Sequence, residues 1–356
     1  MGHTYAQRMR VRCIPMRKAP TPAQSPVTAK DIGRELGLSQ PTVSRILSGA
    51  SDYRVAPETR QRVLETAARL GYRPNAVARS LRRRRTNIVG FYTGYGYVDA
   101  RNAFLAEVIG SLQRAGDPHR LDILLHGAYR GASTDDIFGE LVDGRVDGLF
   151  LHTHAEDPLI ARLAESRLPV VAIADEVPGI PSVICDDAGG MCLLVDYLRE
   201  RGHRRIGFIR PTTHFHSVEK RCDAFREAMA AGGASPEEAP LFSIEMEAAE
   251  PALDALMAQS ERPTAVCCWN DLTAFNLIHA CRARGVRVPE DLAVVGFDGL
   301  LAPHLTPRAL VTIGANWNDI SRRAMDILVA QINNSGDSPP PPLTRMPVRL
   351  LPGDTA

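Results

Sequence analysis

Polar side chains that could hold a ligand follow apolar runs in the later part of this 356-residue chain. Asp175 ends the run VVAIAD, Asn270 ends AVCCWN and Asp298 ends LAVVGFD. Arg221 opens the helical stretch that follows RIGFIR and its loop. Because ligands of open α/β sheets bind beyond the carboxyl ends of the strands, we expect these four side chains to line one cleft. Two carboxylates, an amide and a guanidinium would form a hydrogen-bonding cage suited to a polyhydroxylated ligand.

Aromatic residues could add a stacking surface to this cage. Trp317, and Tyr95 or Tyr97 after the first apolar run, could pack against the apolar face of a sugar ring. Simpler structural roles are open for two of the residues. Asp298 could form a turn before Gly299, and Trp317 could be a core aromatic.

Signals for catalysis, cofactors and metals are weak. Gly94-Tyr95-Gly96 lacks the third glycine of a dinucleotide fingerprint, since Asp99 stands there. The pairs His152/His154 and His214/His216 could face each other as a metal site, but hydrogen-bonding loop histidines are commoner. We therefore expect no cofactor, no metal and no enzyme activity. One alternative stays open, an α/β enzyme or binding protein acting on a sugar or nucleotide, for which Asp175 and Asp298 are the plausible acid/base pair.

The elements that must position these residues are apolar strands alternating with amphipathic helices. This pattern is typical of parallel strands buried on both faces, so we predict an α/β body of two doubly wound parallel-sheet subdomains. The predicted strands are 88–92, 121–127, 146–153, 170–175, 182–187, 205–210, 265–270, 292–298 and 347–351.

The charge of the chain is distributed unevenly. Residues 1–26 carry five basic side chains and no acidic one, and residues 27–86 carry thirteen basic and five acidic side chains. The rest of the chain has a net charge of −12. A basic head before an acidic body indicates that the first 86 residues meet a polyanion.

The head has the pattern of a helix-turn-helix unit. Thr28 is suited to cap a first helix and Ser39 a second, with Gly37 in the turn between them. Pro41 is tolerated in the first turn of the second helix, and a third helix is predicted from Pro57. The alternative is any small helical bundle, but the basic charge and the polar face of the second helix favour DNA.

Each part of the head suits one kind of DNA contact. Arg45 can bind guanine bidentately, and Gln40 can bind adenine. Leu81 would find a burial site between base pairs in the minor groove, although it could be a plain linker leucine, and Arg82 to Arg85 add positive charge beside it. The hydroxyls suited to phosphate oxygens are Thr28, Ser39, Thr42, Ser44 and Thr59.

The segments VTAKDIGRELGLSQPTVSRILSG and VAPETRQRVLETAARLGYRPNAVARSLR resemble the DNA-binding head of the lactose-repressor (LacI/GalR) family of bacterial transcription regulators. The resemblance implies that Gln40, Pro41 and Arg45 face base edges, although Pro41 has no side-chain hydrogen bond to offer. It also implies a hinge helix over 73–81 with Leu81 as the minor-groove wedge. The same resemblance adds Arg54, Asn75, Ala78 and Arg82 to the DNA-binding residues.

The body also resembles this family, whose effector domain has the shape of a periplasmic sugar-binding protein. The motifs YLRERGHRRIGFI and RPTAVCCWNDLTAFNLIHACRARGVRVPEDLAVVGFDG carry the resemblance. It implies crossovers between subdomains near 185–187, 314–318 and 344–347. It also implies effector-binding roles for Arg221, Asn270, Asp298 and Trp317, and for Asp175.

The resemblance implies a domain organisation. We expect a disordered basic leader over 1–26, a helix-turn-helix domain over 27–73, a hinge helix and linker over 74–86, and an effector-binding and dimerisation domain over 87–352. Subdomain one would hold about 87–185 and 317–345, and subdomain two about 187–314 and 346–352.

These features together predict a homodimeric, sequence-specific transcription regulator, a repressor, that binds an inverted-repeat operator in double-stranded DNA. Its small-molecule effector is expected to be a sugar or sugar derivative, with a nucleobase or another metabolite as the alternative. No run approaches the roughly 18 apolar residues that a membrane span requires, so we expect a cytoplasmic protein. The seven cysteines include no C-x-x-C pair, and they indicate neither a disulfide framework nor a zinc site.

Overall fold

The computed structural model describes residues 27–48, 54–74, 80, 85–94, 102–127, 132–245, 248–300, 309–334 and 339–356. The chain divides into two compact units, Met1–Arg79 and Ser80–Ala356. The predicted leader and most of the predicted hinge lie outside the described residues. So do the predicted site residues Asn75, Ala78, Leu81, Arg82, Tyr95 and Tyr97.

Three helices form the described part of the first unit: α1 (Ala29–Leu36), α2 (Gln40–Leu47) and α3 (Pro57–Arg69). The hydroxyl of Thr28 accepts the amide hydrogen of Asp31, and that of Ser39 accepts the amide hydrogen of Thr42. Both predicted caps are therefore present. Gly37 ends α1 at φ +66°, a conformation that favours glycine.

Close packing joins α1 to the turn before α2. A Cβ added to Gly33 would lie 2.6 Å from the carbonyl oxygen of Leu38, so only glycine fits this contact. The predicted apolar stripes meet in one core. Its buried members are Ala29, Ile32, Val43, Ile46, Val63 and Ala67.

The second unit contains two six-stranded sheets. The strands of the first sheet are β1 (Ile88–Thr93), β2 (Asp122–His126), β3 (Gly148–His152), β4 (Val170–Ile173), β5 (Ser182–Cys185) and β11 (Leu343–Met346). Their order is β11-β5-β4-β3-β1-β2, and all neighbours are parallel.

The second sheet repeats this plan with one difference. Its strands are β6 (Ile206–Pro211), β7 (Leu241–Ile244), β8 (Ala265–Cys268), β9 (Ala293–Asp298), β10 (Val311–Ala315) and β12 (Val348–Leu351). The order is β12-β10-β9-β8-β6-β7, and β12 runs antiparallel to β10. Only Pro347 separates β11 from β12, so the chain passes from one sheet to the other without reversing direction.

Helices cover the faces of both sheets. Those described in the second unit are α4 (Ala103–Gly116), α5 (Thr134–Leu141), α6 (Leu159–Glu165), α7 (Asp187–Glu200), α8 (His216–Ala231), α9 (Ala249–Met257), α10 (Asp271–Ala283) and α11 (Trp317–Asn333). Helix α11 follows β10 of the second sheet but packs against α4 and the first sheet. At its carboxyl end, the carbonyl of Ile332 accepts a hydrogen bond from the Arg85 guanidinium at 2.8 Å.

The predicted strands are present, but three further strands were not predicted: β7, β10 and β11. Each is only four or five residues long. Strands β7 and β11 are edge strands of their sheets, where exposure to solvent permits polar side chains. The predicted strand over 182–187 was too long. It ends at Cys185, because Asp186 caps α7 by accepting the amide hydrogen of Gly189. No helix within the described ranges has the length and apolarity needed to cross a membrane.

Candidate effector cleft and nucleic-acid interface

Asp175 connects the two sheets of the second unit. It follows β4 of the first sheet, and its Oδ1 accepts the amide hydrogen of Ser217 at 2.8 Å in the first turn of α8, which packs on the second sheet. The residue before α8, Phe215, supplies no side-chain cap. The carboxylate of Asp175 therefore caps this helix from across the cleft.

The other carboxylate oxygen of Asp175 is buried without a hydrogen-bond partner. The pKa of this carboxyl is raised to about 7, mainly by burial. The hydrogen bond from Ser217 lowers the pKa, and the nearby Asp187 carboxylate raises it. A buried acceptor of this kind is costly unless something donates to it. A ligand with an O–H or N–H group meets that requirement.

Arg221 is held by the protein on every side. Its Nε donates to Asp187 at 2.7 Å, and its Nη1 donates to the carbonyl of Trp269. Its Nη2 lies 3.9 Å from the sulfur of Cys185 and 3.7 Å from the carboxylate of Asp298. The guanidinium also packs over the ring of Phe297, 3.7 Å from its centroid.

Asp298 ends β9 in an uncommon backbone conformation, with φ at +121°. The side chain is buried, and this burial raises its pKa to about 7. Its carbonyl oxygen accepts a hydrogen bond from the indole nitrogen of Trp317 at 3.0 Å. Trp317 thus has a structural role beside its predicted one, since its only polar atom is used to bind β9.

A row of rings extends through the same cleft. Phe104 packs edge-on against Trp317 at 5.0 Å between centroids, and its ring is tilted against His152 at 5.4 Å. The ring of Phe215 is nearly parallel to His152 at 6.5 Å and to Trp269 at 6.1 Å. The indole nitrogen of Trp269 is buried without a hydrogen-bond partner. It is the second polar atom that a ligand would satisfy.

Asn270 has a structural role beside its predicted one. Its side-chain oxygen accepts the amide hydrogen of Thr273 at 2.8 Å and caps α10. This capping uses the oxygen that the predicted cage would offer to a ligand.

Several residues of the cleft were missed by sequence reasoning: Phe104, His152 as a packed ring, Asp187, Phe215 and Trp269. The available signal was position after a strand, because Trp269 follows β8 directly and Asp187 comes two residues after β5. The side chain of His152 is buried, which lowers its pKa to about 4, and its Nδ1 lies 3.1 Å from the carbonyl oxygen of Ile173. Within the described residues, no cluster of His, Cys, Asp or Glu could hold a metal ion.

The second helix of the first unit displays the predicted base-reading residues. Gln40, Pro41 and Arg45 are exposed, while Val43 and Ile46 of the same helix are buried. Arg54 is exposed as well, and Thr59 is half-buried. Helix α2 therefore packs through the face of Val43 and Ile46 and exposes Gln40, Pro41 and Arg45.

Two of the predicted phosphate-binding hydroxyls, those of Thr28 and Ser39, have capping roles here. The hydroxyl of Thr28 lies 2.7 Å from the Asp31 carboxylate, to which it donates, and that of Ser39 lies 2.8 Å from the Thr42 hydroxyl. Ser44, like Thr42, is half-buried on α2. These hydroxyls first stabilise the amino-terminal turns of α1 and α2.

Two family models match the chain. The model of bacterial regulatory proteins of the lacI family matches residues 28–75, which include all three helices of the first unit. The model of the periplasmic binding protein-like domain matches residues 195–356, which include the whole second sheet.

Named relatives match both units. Catabolite control protein A of Priestia megaterium is 29% identical over 318 residues, covering 86% of this chain and 93% of that protein. The HTH-type transcriptional repressor PurR of Vibrio cholerae serotype O1 is 30% identical over 322 residues, covering 86% of this chain and 92% of that protein.

Solved structures share the fold. The lac repressor dimer bound to operator and the anti-inducer ONPF gives a TM-score of 0.78 at 22% identity, covering 93% of this chain and 99% of that chain. The complex of the transcriptional regulator CelR with cellobiose gives 0.68 at 26% identity, covering 93% and 100%. The predicted fold class is confirmed, and the chain belongs to the LacI family of bacterial regulatory proteins, as a DNA-binding transcription regulator and not an enzyme.

Proposed function

We propose that the protein is a repressor that acts in the cytoplasm as a homodimer, and that a sugar or sugar derivative in the cleft changes its affinity for operator DNA. The observation that carries the proposal is a pair of buried polar atoms without partners, Asp175 Oδ2 and Trp269 Nε1, among the rings of the cleft. One accepts and the other donates a hydrogen bond. A sugar hydroxyl can satisfy either atom, and the rings suit the apolar face of a sugar.

Relatives support both parts of this proposal. PurR of Vibrio cholerae is named a transcriptional repressor, and CelR was solved with cellobiose. The lac repressor was solved as a dimer on its operator. By analogy, two heads of this protein would bind two half-sites of an inverted repeat.

The DNA-binding role is assigned to exposed residues of α2. Arg45 would bind guanine, Gln40 would bind adenine, and Pro41 would make an apolar contact. The proposal also includes the further DNA-binding residues that the sequence predicts. It includes the hinge over 74–86, with Leu81 as its wedge, and the domain limits expected from the sequence.

The proposed switch is a two-state equilibrium of the two sheets around the cleft. A ligand shifts this equilibrium by its difference in affinity for the two states. An inducer favours the state that releases DNA, and a corepressor favours the state that binds it. By linkage, DNA changes the affinity for the ligand by the same factor.

The test measures DNA affinity in the presence of sugars. An operator is selected from random duplex DNA, and its affinity for the full chain is measured by anisotropy at fixed salt, with and without cellobiose and a pool of neutral monosaccharides. We expect a change in affinity with at least one sugar, and the same change should be weaker in Trp269→Phe. A selected operator whose affinity no sugar alters would overturn the proposal.

The base-reading assignment has its own test. Arg45→Ala should cost about 1–3 kcal/mol of operator binding and relax the preference at one position in each half-site. Arg62→Ala, an exposed substitution on α3, is the control for the loss of one positive charge. Equal losses and unchanged base preference in both variants would contradict the assignment.

A further inference from the structure

We propose that the cleft takes a sugar without negative charge, either neutral or amino-substituted, and rejects sugar phosphates and other anions. This inference rests on the proposed function, since it treats the cleft as the effector site. It adds the charge class of the ligand and names Asp187 and Asp175 as the residues that set it.

The buried cation of the cleft is already used by the protein. Arg221 is the residue that an anionic ligand would seek, because a guanidinium binds carboxylate or phosphate through paired hydrogen bonds. Its Nε is bound to Asp187 and its Nη1 to the carbonyl of Trp269, while Nη2 faces Cys185 and Asp298. Asp187 therefore occupies Nε, which blocks a paired contact of a phosphate with Nε and Nη2.

The described ionisable side chains around Arg221 are mostly carboxyl groups. The carboxyl groups of Asp175, Asp187 and Asp298 are buried near it, and Asp271 lies beyond Asp298. His152 adds no positive charge near neutral pH, since burial lowers its pKa to about 4. Above pH 7, where the carboxyls of Asp175 and Asp298 are ionised, a phosphate would enter a buried site in which repulsion between like charges is weakly screened.

The unpartnered atoms point to the same class. Asp175 Oδ2 can only accept a hydrogen bond when ionised, so a ligand group facing it must carry a hydrogen. A hydroxyl or an ammonium provides one, and a phosphate dianion or a carboxylate does not. The indole N–H of Trp269 can then donate to a hydroxyl oxygen of the same ligand.

Tryptophan fluorescence can test this inference before the effector has been identified. The chain has two tryptophans, Trp269 and Trp317, and both lie in the cleft. The full-length protein is titrated with three pools: neutral pentoses and hexoses, the corresponding sugar phosphates, and amino sugars. Emission and melting temperature are recorded at constant ionic strength and at about pH 8, where the carboxyls of Asp175 and Asp298 are ionised.

We expect saturable emission changes with the neutral or amino pool, and binding of the phosphate pool weaker by about a hundredfold or more. A phosphate pool that binds as tightly as the neutral pool would overturn the inference. So would the absence of any emission change with the neutral and amino pools.

Asp175→Asn tests the selecting residue. Asparagine keeps an oxygen for the amide of Ser217 but turns an N–H toward the ligand and removes one negative charge. The ratio of neutral-pool to phosphate-pool affinity should fall at least about tenfold. Asp196→Asn, on the exposed face of α7, is the matched control and should leave the ratio unchanged. An unchanged ratio in folded Asp175→Asn protein would contradict the assignment.

The two proposals fail in different ways. If the neutral pool changes tryptophan emission but no pool changes operator affinity, the proposed switch is wrong and the charge class stands. If operator affinity responds to sugar phosphates as strongly as to neutral sugars, the switch stands and the charge class is wrong.

Discussion

Asp175 and Ser217 connect the two sheets of the second unit through one hydrogen bond. The carboxylate of Asp175, after β4 of the first sheet, accepts at 2.8 Å the amide hydrogen of Ser217 in α8, which packs on the second sheet. This bond makes a helix cap depend on the relative position of the sheets. It also brings a buried carboxylate to the cleft, and that burial gives the first prediction.

The contribution of Asp175 to stability should fall as the pH rises from about 4 to 7. Burial raises the pKa of Asp175 to about 7, from an ordinary value of 3.8. Between these values the folded state holds a proton that the unfolded state has released, so the free energy of unfolding falls with rising pH. Asp175→Asn removes this ionisation, and it should raise the melting temperature more at pH 8 than at pH 5. Asp196→Asn should show equal shifts at both pH values, and equal shifts in Asp175→Asn would contradict the prediction.

Arg221 should be essential to the stability of the fold. Arg221→Met leaves Asp187 and Asp298 buried without their cation, and we expect it to lower the free energy of unfolding by about 3–5 kcal/mol. Arg284→Met breaks an exposed pair with Asp254 and should cost less than about 1 kcal/mol. Denaturant titration distinguishes the two, and a loss for Arg221→Met no larger than the control would be evidence against this role.

The ion pair of Arg221 revises one expectation from the sequence. The resemblance of the sequence implied an effector-binding role for Arg221. The ion pair with Asp187 makes this residue part of the core. Tests of effector response must therefore use substitutions that spare the pair, such as those at Asp175 or Trp269.

The two tryptophans should respond differently to the same substitution. Trp317→Phe removes the hydrogen bond to the Asp298 carbonyl and should cost about 0.5–1.5 kcal/mol of stability. Trp269→Phe removes an indole N–H without a partner, so its stability should be unchanged or improved while sugar affinity falls. Melting temperatures and sugar titrations of both variants check this contrast. Equal destabilisation by the two substitutions would argue against it.

Gly33→Ala should abolish DNA binding without affecting the second unit. The added Cβ would lie 2.6 Å from the carbonyl oxygen of Leu38 and would force α1 away from the turn before α2. Gly139→Ala is the matched control, because nothing lies within 4 Å of its added Cβ. Operator binding and sugar-dependent tryptophan emission are measured for both. Retained operator binding in Gly33→Ala would show that the contact is dispensable.

Local patterns in the sequence predicted the features that depend on neighbouring residues. The caps at Thr28 and Ser39 and the turn at Gly37 follow from side-chain and backbone chemistry within a few residues. The positions of Asp175 and Asp298 follow from a general property of parallel sheets, in which the ends of the strands meet.

Features that depend on distant partners were not predictable in the same way. Asp187 looked like the end of a strand, and its role arises only because Arg221 of another helix packs beside it. The strands β7, β10 and β11 are short and lack a continuous apolar run, so their identity depends on the strands they pair with. Trp269 was part of a predicted strand, and nothing local indicates that its indole N–H lacks a partner.

Helix α11 connects two distant parts of the second unit. It is 17 residues long, which gives about 25 Å at the usual rise of an α-helix. One end is joined to the strand beside the cleft through the indole of Trp317, and the other end holds the guanidinium of Arg85 through the carbonyl of Ile332. One continuous helix therefore joins β9, beside the cleft, to Arg85, near the start of the second unit, through a hydrogen bond at each end.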